Sequence, residues 1–430
     1  MSAPHANTPP SPTAKSANTP SRQPNGTAAG SDEQASDLLG FDLVSLTSSA
    51  AQLRARQLAF AQEGRNEQAG ATPNQAHEFT YAAFQSRVHE YSSAMRAFGL
   101  QAGERILVPG GLSVQSIAAI IAGLAAGLDC AIVGTHLDSD EIGAFARAAG
   151  ASALVSDVGS EDTASARHIL SAAAKAETVR LVISLSDNPP DGTVPVRAAA
   201  GAKVAQQKPS RGGRIITRTM DGTPAAHSQQ CLICAGLDFI AQARLSAGST
   251  IVSTILPTSF AGLVCGPIAG LLTGAPTVLH APFDSQALVR RIAGDGPVQL
   301  IVPAAIGGHI AGSGFFKSSD LSALVLLSRF EARPAALAAP ELPALQAEGI
   351  DISDLLAYDE VTAFAQLRGN EGRPSMPLER NHTIHMGGRH LVTVGAVMHM
   401  LETNGIRTTA AVFDGAAVSK GDWKFYESAE

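Results

Sequence analysis

Hydrophobic and polar positions alternate most sharply between residues 77 and 100. Large apolar side chains recur there every three or four residues, at Phe84, Val88, Tyr91, Met95 and Phe98. Thr80 suits the N-cap of a helix, and Gly99 suits the position just beyond its end. The spacing predicts an amphipathic helix whose apolar stripe packs into a core.

Short apolar runs and helical segments alternate after this helix. The pattern predicts helices at 114–126, 139–149 and 164–176 and strands at 105–108, 130–134, 153–156 and 179–184. Alternation at this interval is typical of a parallel sheet covered by helices. The Pro- and Gly-rich stretch 188–213 is predicted to be a linker.

The N-terminal region divides into two parts. Residues 1–36 contain almost no large apolar side chains, so they cannot offset the entropy of ordering, and we predict a disordered tail. Residues 37–62 are predicted to form one or two packed helices, with Arg54 and Arg56 in solvent. The apolar positions of these helices are Leu39, Phe41, Leu43, Leu46, Leu53, Leu58 and Phe60.

The stretch 214–230, RIITRTMDGTPAAHSQQ, is predicted to join a strand to a helix. A β-branched run from Ile215 to Thr217 predicts the strand, Asp221-Gly222 predicts a turn, and an apolar segment with helical spacing begins at Cys231. Phosphate-binding loops lie at such junctions because backbone N–H groups and a helix N-terminus converge there. We therefore identify this stretch as a candidate phosphate loop.

Composition and charge narrow the classes of function. A length of 430 residues predicts two or three subdomains. The net charge of −7 shows no footprint for nucleic acid or for an anionic membrane. No signal peptide or apolar run of membrane-spanning length is found, so we expect a cytoplasmic protein. Four cysteines are too few for a disulfide framework, and we expect Cys231 and Cys234 to be buried in a helix rather than to bind zinc.

The candidate loop resembles the core loop of the adenylate-forming superfamily, which includes acyl-CoA synthetases, luciferases and peptide adenylation domains. The family pattern is roughly Thr-Ser-Gly-Thr-Thr-Gly-x-Pro-Lys-Gly, and Thr217, Gly222 and Pro224 match it. The segment FTYAAFQSRVHEYSSAMRAFGLQAGERILV is similar to the start of the family's first subdomain, and Gly372-Arg373-Pro374 matches a structural turn. The resemblance covers residues 77–380 and implies two stacked βα subdomains.

Most departures from the family pattern fall on groups that hold ATP in the family. The replaced positions carry Arg218, Thr219, Met220, Asp221, Ala225 and Ala226. The loop lysine is lost, and Asp221 would place a carboxylate beside phosphate oxygens. Like charges about 4 Å apart repel by roughly 1 to 4 kcal/mol, depending on the local dielectric. The resemblance therefore favours the family's fold and opposes its chemistry.

Later motifs of the family are altered as well. The glycine turn that approaches the adenine is replaced by the bulky residues 328–330, SRF. Tyr358 matches the first residue of the family's Tyr-Gly-x-Thr-Glu motif. Thr362 or Glu360 can stand for a polar residue of that motif only if the alignment is shifted by one or two residues. Phe260 lies where the family shapes its acyl pocket, and core packing at a helix start is the alternative role. Past residue 380 neither the ribose-binding strand nor the C-terminal lid of the family is recognised.

Histidines offer two further candidate sites. His382 and His385 would share one face of a helix and could bind a metal, but their neighbours favour a strand, so we expect no metal site. His227, at the end of the loop, is placed to meet an anion, although a surface or capping role is favoured.

Together these observations predict an α/β fold of two stacked βα subdomains, 37–200 and 201–380, followed by a short strand-rich piece, 381–430. We expect no catalytic residues. Nucleotide contacts, if any persist, are expected at Thr217, Arg218, Thr219, Gly222, Thr223, Tyr358 and Thr362, with Phe260 in a substrate pocket.

Two functions remain open. The favoured one is a catalytically degenerate relative that binds a protein partner or a second copy of itself, in a complex that makes or exports an acylated or polymeric product. The alternative is an active AMP-forming ligase that uses ATP and Mg²⁺ and takes its lid from another chain. In that case Arg218 would replace the missing lysine as the phosphate partner.

Overall fold

The computed structural model describes residues 42–63, 77–199, 212–219, 221–280, 285–294, 296–330, 342–358, 360, 362–369, 382–386, 389–393, 401–403 and 406–408. Within these ranges the chain forms two large β-sheets, one separate hairpin and a set of helices. The predicted mixed α/β class is confirmed. The predicted tail, 1–36, lies outside the described residues.

The strands are numbered in chain order. They are β1 (Leu58–Glu63), β2 (His77–Thr80), β3 (Arg105–Gly110), β4 (Asp129–Gly134), β5 (Ala153–Ser156), β6 (Leu181–Ser184), β7 (Val194–Pro195), β8 (Ile215–Arg218), β9 (Pro224–His227), β10 (Thr250–Ser253), β11 (Thr277–His280), β12 (Val298–Pro303), β13 (Leu321–Phe330), β14 (Asp351–Tyr358), β15 (Thr362–Leu367), β16 (His382–Met386), β17 (Arg389–Thr393), β18 (Leu401–Thr403) and β19 (Ile406–Thr408).

The α-helices are numbered in the same way. They are α1 (Leu43–Leu53), α2 (Tyr81–Ala97), α3 (Val114–Ala125), α4 (Ser139–Ala149), α5 (Thr163–Lys175), α6 (Gln229–Gln242), α7 (Phe260–Leu263), α8 (Ala269–Thr273), α9 (Ser285–Ile292), α10 (Gly307–Ser313) and α11 (Pro343–Ala347). A π-helical turn, Val264–Ile268, connects α7 to α8. Among the described residues, no helix has the length and apolar character of a membrane span.

The two sheets have different strand orders. One has nine strands in the order β18-β19-β9-β8-β4-β3-β5-β6-β7, and the other has eight in the order β15-β14-β13-β12-β10-β11-β1-β2. Most neighbours are parallel, as the βα alternation predicts, whereas β8–β9, β14–β15, β1–β2 and β18–β19 are antiparallel. The largest apolar cluster of the core contains residues of both sheets, among them Ile106 and Ile251.

The helix predicted between residues 77 and 100 is confirmed as α2. The Thr80 side chain accepts a hydrogen bond from the Ala83 N–H, as an N-cap should, and Gly99 has a φ of 84° just beyond the end. The residues Phe84, Val88, Tyr91 and Met95 are buried, and Phe98 is partly buried against the same core.

The prediction for residues 37–62 is partly wrong. Only Leu43–Leu53 is helical, and the segment from Leu58 is strand β1, which pairs with β11 and buries Phe60 in the core. Leu53, a predicted core position, is 80% exposed because the helix ends there. A short run with the pattern LAFAQE is compatible with a helix or a strand. It forms a strand here because it pairs with β11.

Two other segments are more structured than predicted. Part of the predicted linker 188–213 adds β7 to the edge of the nine-stranded sheet, and a 3₁₀ turn, Val196–Ala199, follows it. The predicted loop after β8 contains strand β9, which pairs back onto β8. This hairpin belongs to the nine-stranded sheet, whereas β1 and β2 belong to the other sheet. The division into 37–200 and 201–380 remains a prediction.

The start of the hairpin is fixed by a buried carboxylate and a glycine. Asp129, 6% exposed at the start of β4, accepts hydrogen bonds from the Arg214 N–H at 2.9 Å and from its guanidinium at 2.8 Å. A Cβ on Gly213 would lie 1.9 Å from the Leu128 carbonyl oxygen, so no larger residue fits without moving the backbone. These contacts hold β8 beside β4 and so position the candidate loop.

Candidate functional site

The candidate phosphate loop is the turn of the β8–β9 hairpin. Thr217 pairs with Ala225 across the two strands. The Thr219 N–H donates to the Thr223 carbonyl at 3.0 Å, and the Gly222 N–H donates to the Thr219 carbonyl at 2.9 Å. Gly222 has a φ of 85°, a conformation that glycine adopts without steric cost. The Asp221-Gly222 pair therefore sets a tight, internally bonded turn.

The carboxylate of Asp221 is bonded to the polar groups of this turn. Its Oδ1 accepts hydrogen bonds from the Thr219 hydroxyl at 2.6 Å, the Thr223 hydroxyl at 2.8 Å and the Thr223 N–H at 3.1 Å. Hydrogen bonds to an ionised acceptor are shorter and roughly twice as strong as neutral ones. The carboxylate thus lies within hydrogen-bond distance of three donors of the turn, one of which, the Thr219 hydroxyl, also lies 2.8 Å from the Thr223 carbonyl oxygen.

Arg218 is held by an acidic partner. Its Nη2 lies 3.2 Å from Oε1 of Glu141, and Oε2 of Glu141 accepts the Asp138 N–H in the capping box of α4. The guanidinium crosses the turn, because its Nη2 is 3.5 Å from the place where a Cβ on Gly222 would lie. The pair ties the turn to the N-terminal end of α4 and offsets the charge of Arg218.

Beside the turn, a buried polar network joins the hairpin to the eight-stranded sheet. The Thr217 hydroxyl donates to the carbonyl oxygen of Glu360, which lies between β14 and β15, at 2.6 Å. His227 Nε2 lies 2.8 Å from the same hydroxyl oxygen. Because the hydroxyl proton goes to Glu360, Nε2 is the donor and Nδ1 is the unprotonated ring nitrogen. Nδ1 has no hydrogen-bond partner among the described residues.

Glu360 also caps the next helix along this network. Its carboxylate accepts the Phe260 N–H at 2.7 Å, at the first residue of α7. Its backbone has a φ of 57°, which costs energy for a residue with a Cβ and persists only where the surroundings hold it. The Phe260 ring contacts the His227 imidazole, with the ring centroids 4.9 Å apart. Glu360 thus contacts both the hairpin and the start of α7.

Burial controls the charge of His227. Burial lowers the pKa of His227 from its ordinary value of 6.5 to about 3, and the nearby backbone carbonyl of Glu360 opposes this shift only in part. The imidazole is therefore neutral at physiological pH. A group with so low a pKa is a weak general base, since an efficient base has a pKa near the working pH.

The charge balance of the site is acidic. Three carboxylates, those of Asp221, Glu141 and Glu360, accompany one guanidinium, that of Arg218. Such a balance disfavours an anionic ligand. Within the described ranges, no group of three or more His, Cys, Asp or Glu side chains is arranged to hold a metal ion.

The hairpin brings together five of the residues predicted to contact a nucleotide: Thr217, Arg218, Thr219, Gly222 and Thr223. The other two, Tyr358 and Thr362, face each other across the β14–β15 pairing, on either side of Glu360. Thr362 is buried, and the Tyr358 side chain lies outside the described residues. Phe260 is 1% exposed and belongs to the core at the start of α7, the alternative role considered for it.

Some residues of the site were missed or misjudged from the sequence. His227 was expected at the surface or in a cap, but it is 1% exposed because β9 pairs between β8 and β19. The small apolar residues 224–226 that precede it were the available signal for burial. Glu141 was not identified at all, and only the capping-box spacing from Asp138 marks it. The strand predicted at His382 and His385 is confirmed as β16, but their side chains lie outside the described residues.

Solved structures of known proteins resemble this fold. A benzoate CoA ligase from Burkholderia xenovorans LB400 is 16% identical, with a TM-score of 0.59 over 75% of this chain and 61% of that one. MbtA from Mycobacterium smegmatis is 18% identical, with a TM-score of 0.60 over 84% and 64%. A long-chain-fatty-acid-CoA ligase, FadD1 from Archaeoglobus fulgidus, is 16% identical, with a TM-score of 0.58 over 74% and 63%. The chain therefore spans less than two thirds of each of these proteins.

Comparison with family models extends the resemblance along the chain. No curated protein matches the sequence. The model of the AMP-binding enzyme family matches residues 59–428, which goes beyond the interval 77–380 inferred from motifs. The match includes the turn of the β8–β9 hairpin, Glu360 and the strands β18 and β19. The chain belongs to the AMP-binding enzyme family.

Proposed function

We propose that this chain is a catalytically degenerate member of the AMP-binding enzyme family that acts as a binding or partner subunit. Its partner is a second protein or another copy of the chain, and the complex works in the cytoplasm on an acylated or polymeric product. Acyl adenylation needs the triphosphate of ATP to be held and its charge neutralised. The residues of the hairpin turn do not fit that requirement.

The observation that carries the proposal is the position of the Asp221 carboxylate. It accepts hydrogen bonds from Thr219 and Thr223, which are the groups a phosphate would need in this turn. A triphosphate would have to displace this carboxylate or lie beside it, and like charges repel. Removing one preorganised donor from an enzyme typically raises the activation barrier by about 3 kcal/mol. Occupation of three donors should therefore impair catalysis strongly.

The charges nearby support the same conclusion. Arg218 is the one cation described at the turn, and its guanidinium is paired with Glu141 rather than unopposed. The Phe260 N–H at the start of α7 is bonded to the Glu360 carboxylate. The Arg218 Nη2 and the Phe260 N–H thus each contact a carboxylate of the chain, whereas Arg218 Nε is buried without a hydrogen-bond partner among the described residues.

A thermal-shift measurement tests the proposal. The folded chain is heated alone and with MgATP, AMP or a non-hydrolysable acyl-adenylate. Ligand at a hundredfold over its Kd would stabilise the fold by about 2.7 kcal/mol, which is readily detected. We expect no shift with any of the three. A saturable shift with MgATP that disappears in Arg218→Ala would contradict the proposal.

The partner role has its own test. A tagged copy expressed at native level is isolated from its own cells, and the stoichiometry is measured by native mass spectrometry. We expect a complex of fixed composition or a homo-oligomer. Recovery of the free monomer alone would remove the partner role while leaving the nucleotide result unaffected.

One observation favours the alternative, an active ligase that uses a lid from another chain. Arg218 lies across Gly222 at the turn, close enough to contact a phosphate if Glu141 released it. An active ligase would catalyse exchange between pyrophosphate and ATP when its acid substrate is present. Exchange in the native complex that is lost in Arg218→Ala would establish this alternative.

A further inference from the structure

The donors of the hairpin turn meet on one carboxylate oxygen of the chain itself. Two hydroxyls and one backbone N–H, from Thr219 and Thr223, converge on a single oxygen, Asp221 Oδ1. The bond from the Thr223 N–H to Asp221 Oδ1, two residues apart, is an Asx turn, which Asp residues commonly form. The carboxylate that closes the turn is therefore also the group that engages its donors.

We propose that Asp221 is an autoinhibitory residue, an internal anion that occupies the donors of the turn and excludes nucleotide phosphate from it. The inference rests on the proposed function and deepens it, because it assigns the loss of phosphate binding to one side chain. The excluded ligand is a phosphate chain such as the triphosphate of ATP. Without the Asp221 charge, the same donors and the adjacent Arg218 guanidinium are available to phosphate oxygens.

The two kinds of substitution separate charge from occupancy. Asp221→Asn keeps the shape of the side chain and an oxygen that can accept the Thr223 N–H, but it removes the charge. Asp221→Gly removes both the charge and the occupant, and it leaves Gly222 to hold the positive φ of the turn. If Asp221 blocks the turn, phosphate affinity should rise in the order wild type, Asp221→Asn, Asp221→Gly.

The chain offers a matched control at another Asp-Gly turn. Asp191 is exposed and precedes Gly192, whose φ of 86° nearly equals that of Gly222. Asp191→Asn removes one surface charge from a similar turn that is not part of the site. It therefore measures the effect of net charge alone on the affinity for an anion.

The experiment is calorimetric titration of the full chain and its variants with MgATP and with inorganic triphosphate, after thermal unfolding has shown that each variant folds. We expect Asp221→Gly to bind at least tenfold more tightly than wild type, Asp221→Asn to show a smaller gain, and Asp191→Asn to show none. The inference is overturned if neither folded Asp221 variant gains affinity, or if Asp191→Asn gains as much. Should Asp221→Gly fail to fold, Asp221→Asn alone decides.

The titrations also distinguish failure of the proposed function from failure of the role assigned to Asp221. Tight binding of MgATP to the unsubstituted chain contradicts the proposed function, whatever the variants do. Absence of a gain in the variants contradicts only the autoinhibitory role of Asp221, because phosphate binding would then be lost for other reasons.

Discussion

At the scale of single residues, burial and local hydrogen bonds decide what each side chain of the hairpin can do. Aspartate is a common residue type in turns, but in this turn the Asp221 carboxylate oxygen lies within hydrogen-bond distance of three donors. A histidine usually titrates near neutral pH, but burial lowers the pKa of His227 so far that its imidazole is neutral. Neither property can be assigned from residue type alone.

His227 should make the stability of the fold depend on pH. Because its pKa is about 3 in the folded state and about 6.5 when unfolded, the unfolded state binds more protons between these values. Stability is therefore lost as the pH falls through 6.5, by about 2 kcal/mol between pH 7 and pH 5. Urea unfolding of wild type and His227→Gln at both pH values measures the difference.

The substitution to Gln removes the titrating group while keeping an amide N–H for Thr217. We expect His227→Gln to lose about 2 kcal/mol less than wild type over this pH interval. The exposed His89 provides the control, since His89→Gln removes an imidazole that is not part of the buried network. Equal pH dependence in wild type and His227→Gln would show that His227 is not a buried neutral group.

At the scale of elements, regular segments were predictable and the pairing of short strands was not. The bounds of α4 and β5 agree with the sequence prediction because helix spacing and capping signals are local. Strand β1 was mistaken for a helix, and β9 for a loop, because their identity depends on pairing with distant strands. The Asp-Gly turn was predicted, whereas the contacts of Arg218 with Glu141 and of Thr217 with Glu360 depend on tertiary structure.

Gly213 tests how the hairpin is placed in its sheet. Gly213→Ala would put a methyl group 1.9 Å from the Leu128 carbonyl oxygen, so the backbone of the hairpin must move. We expect a loss of about 3 kcal/mol in the free energy of unfolding, at the upper end for overpacking. In Gly312→Ala, on α10, the new methyl group has no neighbour within 4 Å, so that control should be neutral or slightly stabilising. Equal effects would show that Gly213 is not confined.

A buried ion pair joins Asp354 of β14 to Arg368, the residue directly after β15, and can be tested in the same way. Arg368 donates to both carboxylate oxygens of Asp354, at 3.0 and 2.7 Å, and both residues are buried. Arg368→Met leaves a buried charge and should cost about 3–5 kcal/mol in urea unfolding. The double variant Asp354→Leu with Arg368→Met should recover most of that loss. A double variant no more stable than Arg368→Met would show that the remaining Asp354 carboxylate is not the cause.

At the scale of the whole molecule, membership of the AMP-binding enzyme family was predictable from many weak motif matches along the chain. The family match confirms that prediction, and the solved structures confirm the fold. The polar contact between the hairpin and the eight-stranded sheet was not predictable, because it depends on Glu360, which the motif alignment placed one or two residues out of register. Its backbone and side chain connect β8 with the start of α7.

Substitutions of Glu360 should therefore change the free energy of unfolding. Glu360→Ala removes the acceptor for the Phe260 N–H and keeps the strained φ of 57°, so we expect a loss of about 2 kcal/mol in unfolding free energy. Glu360→Gly loses the same acceptor but relieves the strain, and it should be about 1 kcal/mol more stable than the Ala variant. Glu360→Gln, which keeps an acceptor, should be the least affected. The reverse order would contradict the assigned contacts.

The most direct test of the central claim is a crystal structure of the wild-type chain grown with millimolar MgATP. We expect Asp221 Oδ1 to remain within hydrogen-bond distance of the Thr219 and Thr223 donors, with no phosphate in the turn. Phosphate oxygens bound to those donors, with the Asp221 carboxylate turned away, would contradict the claim and would identify the turn as a working nucleotide site.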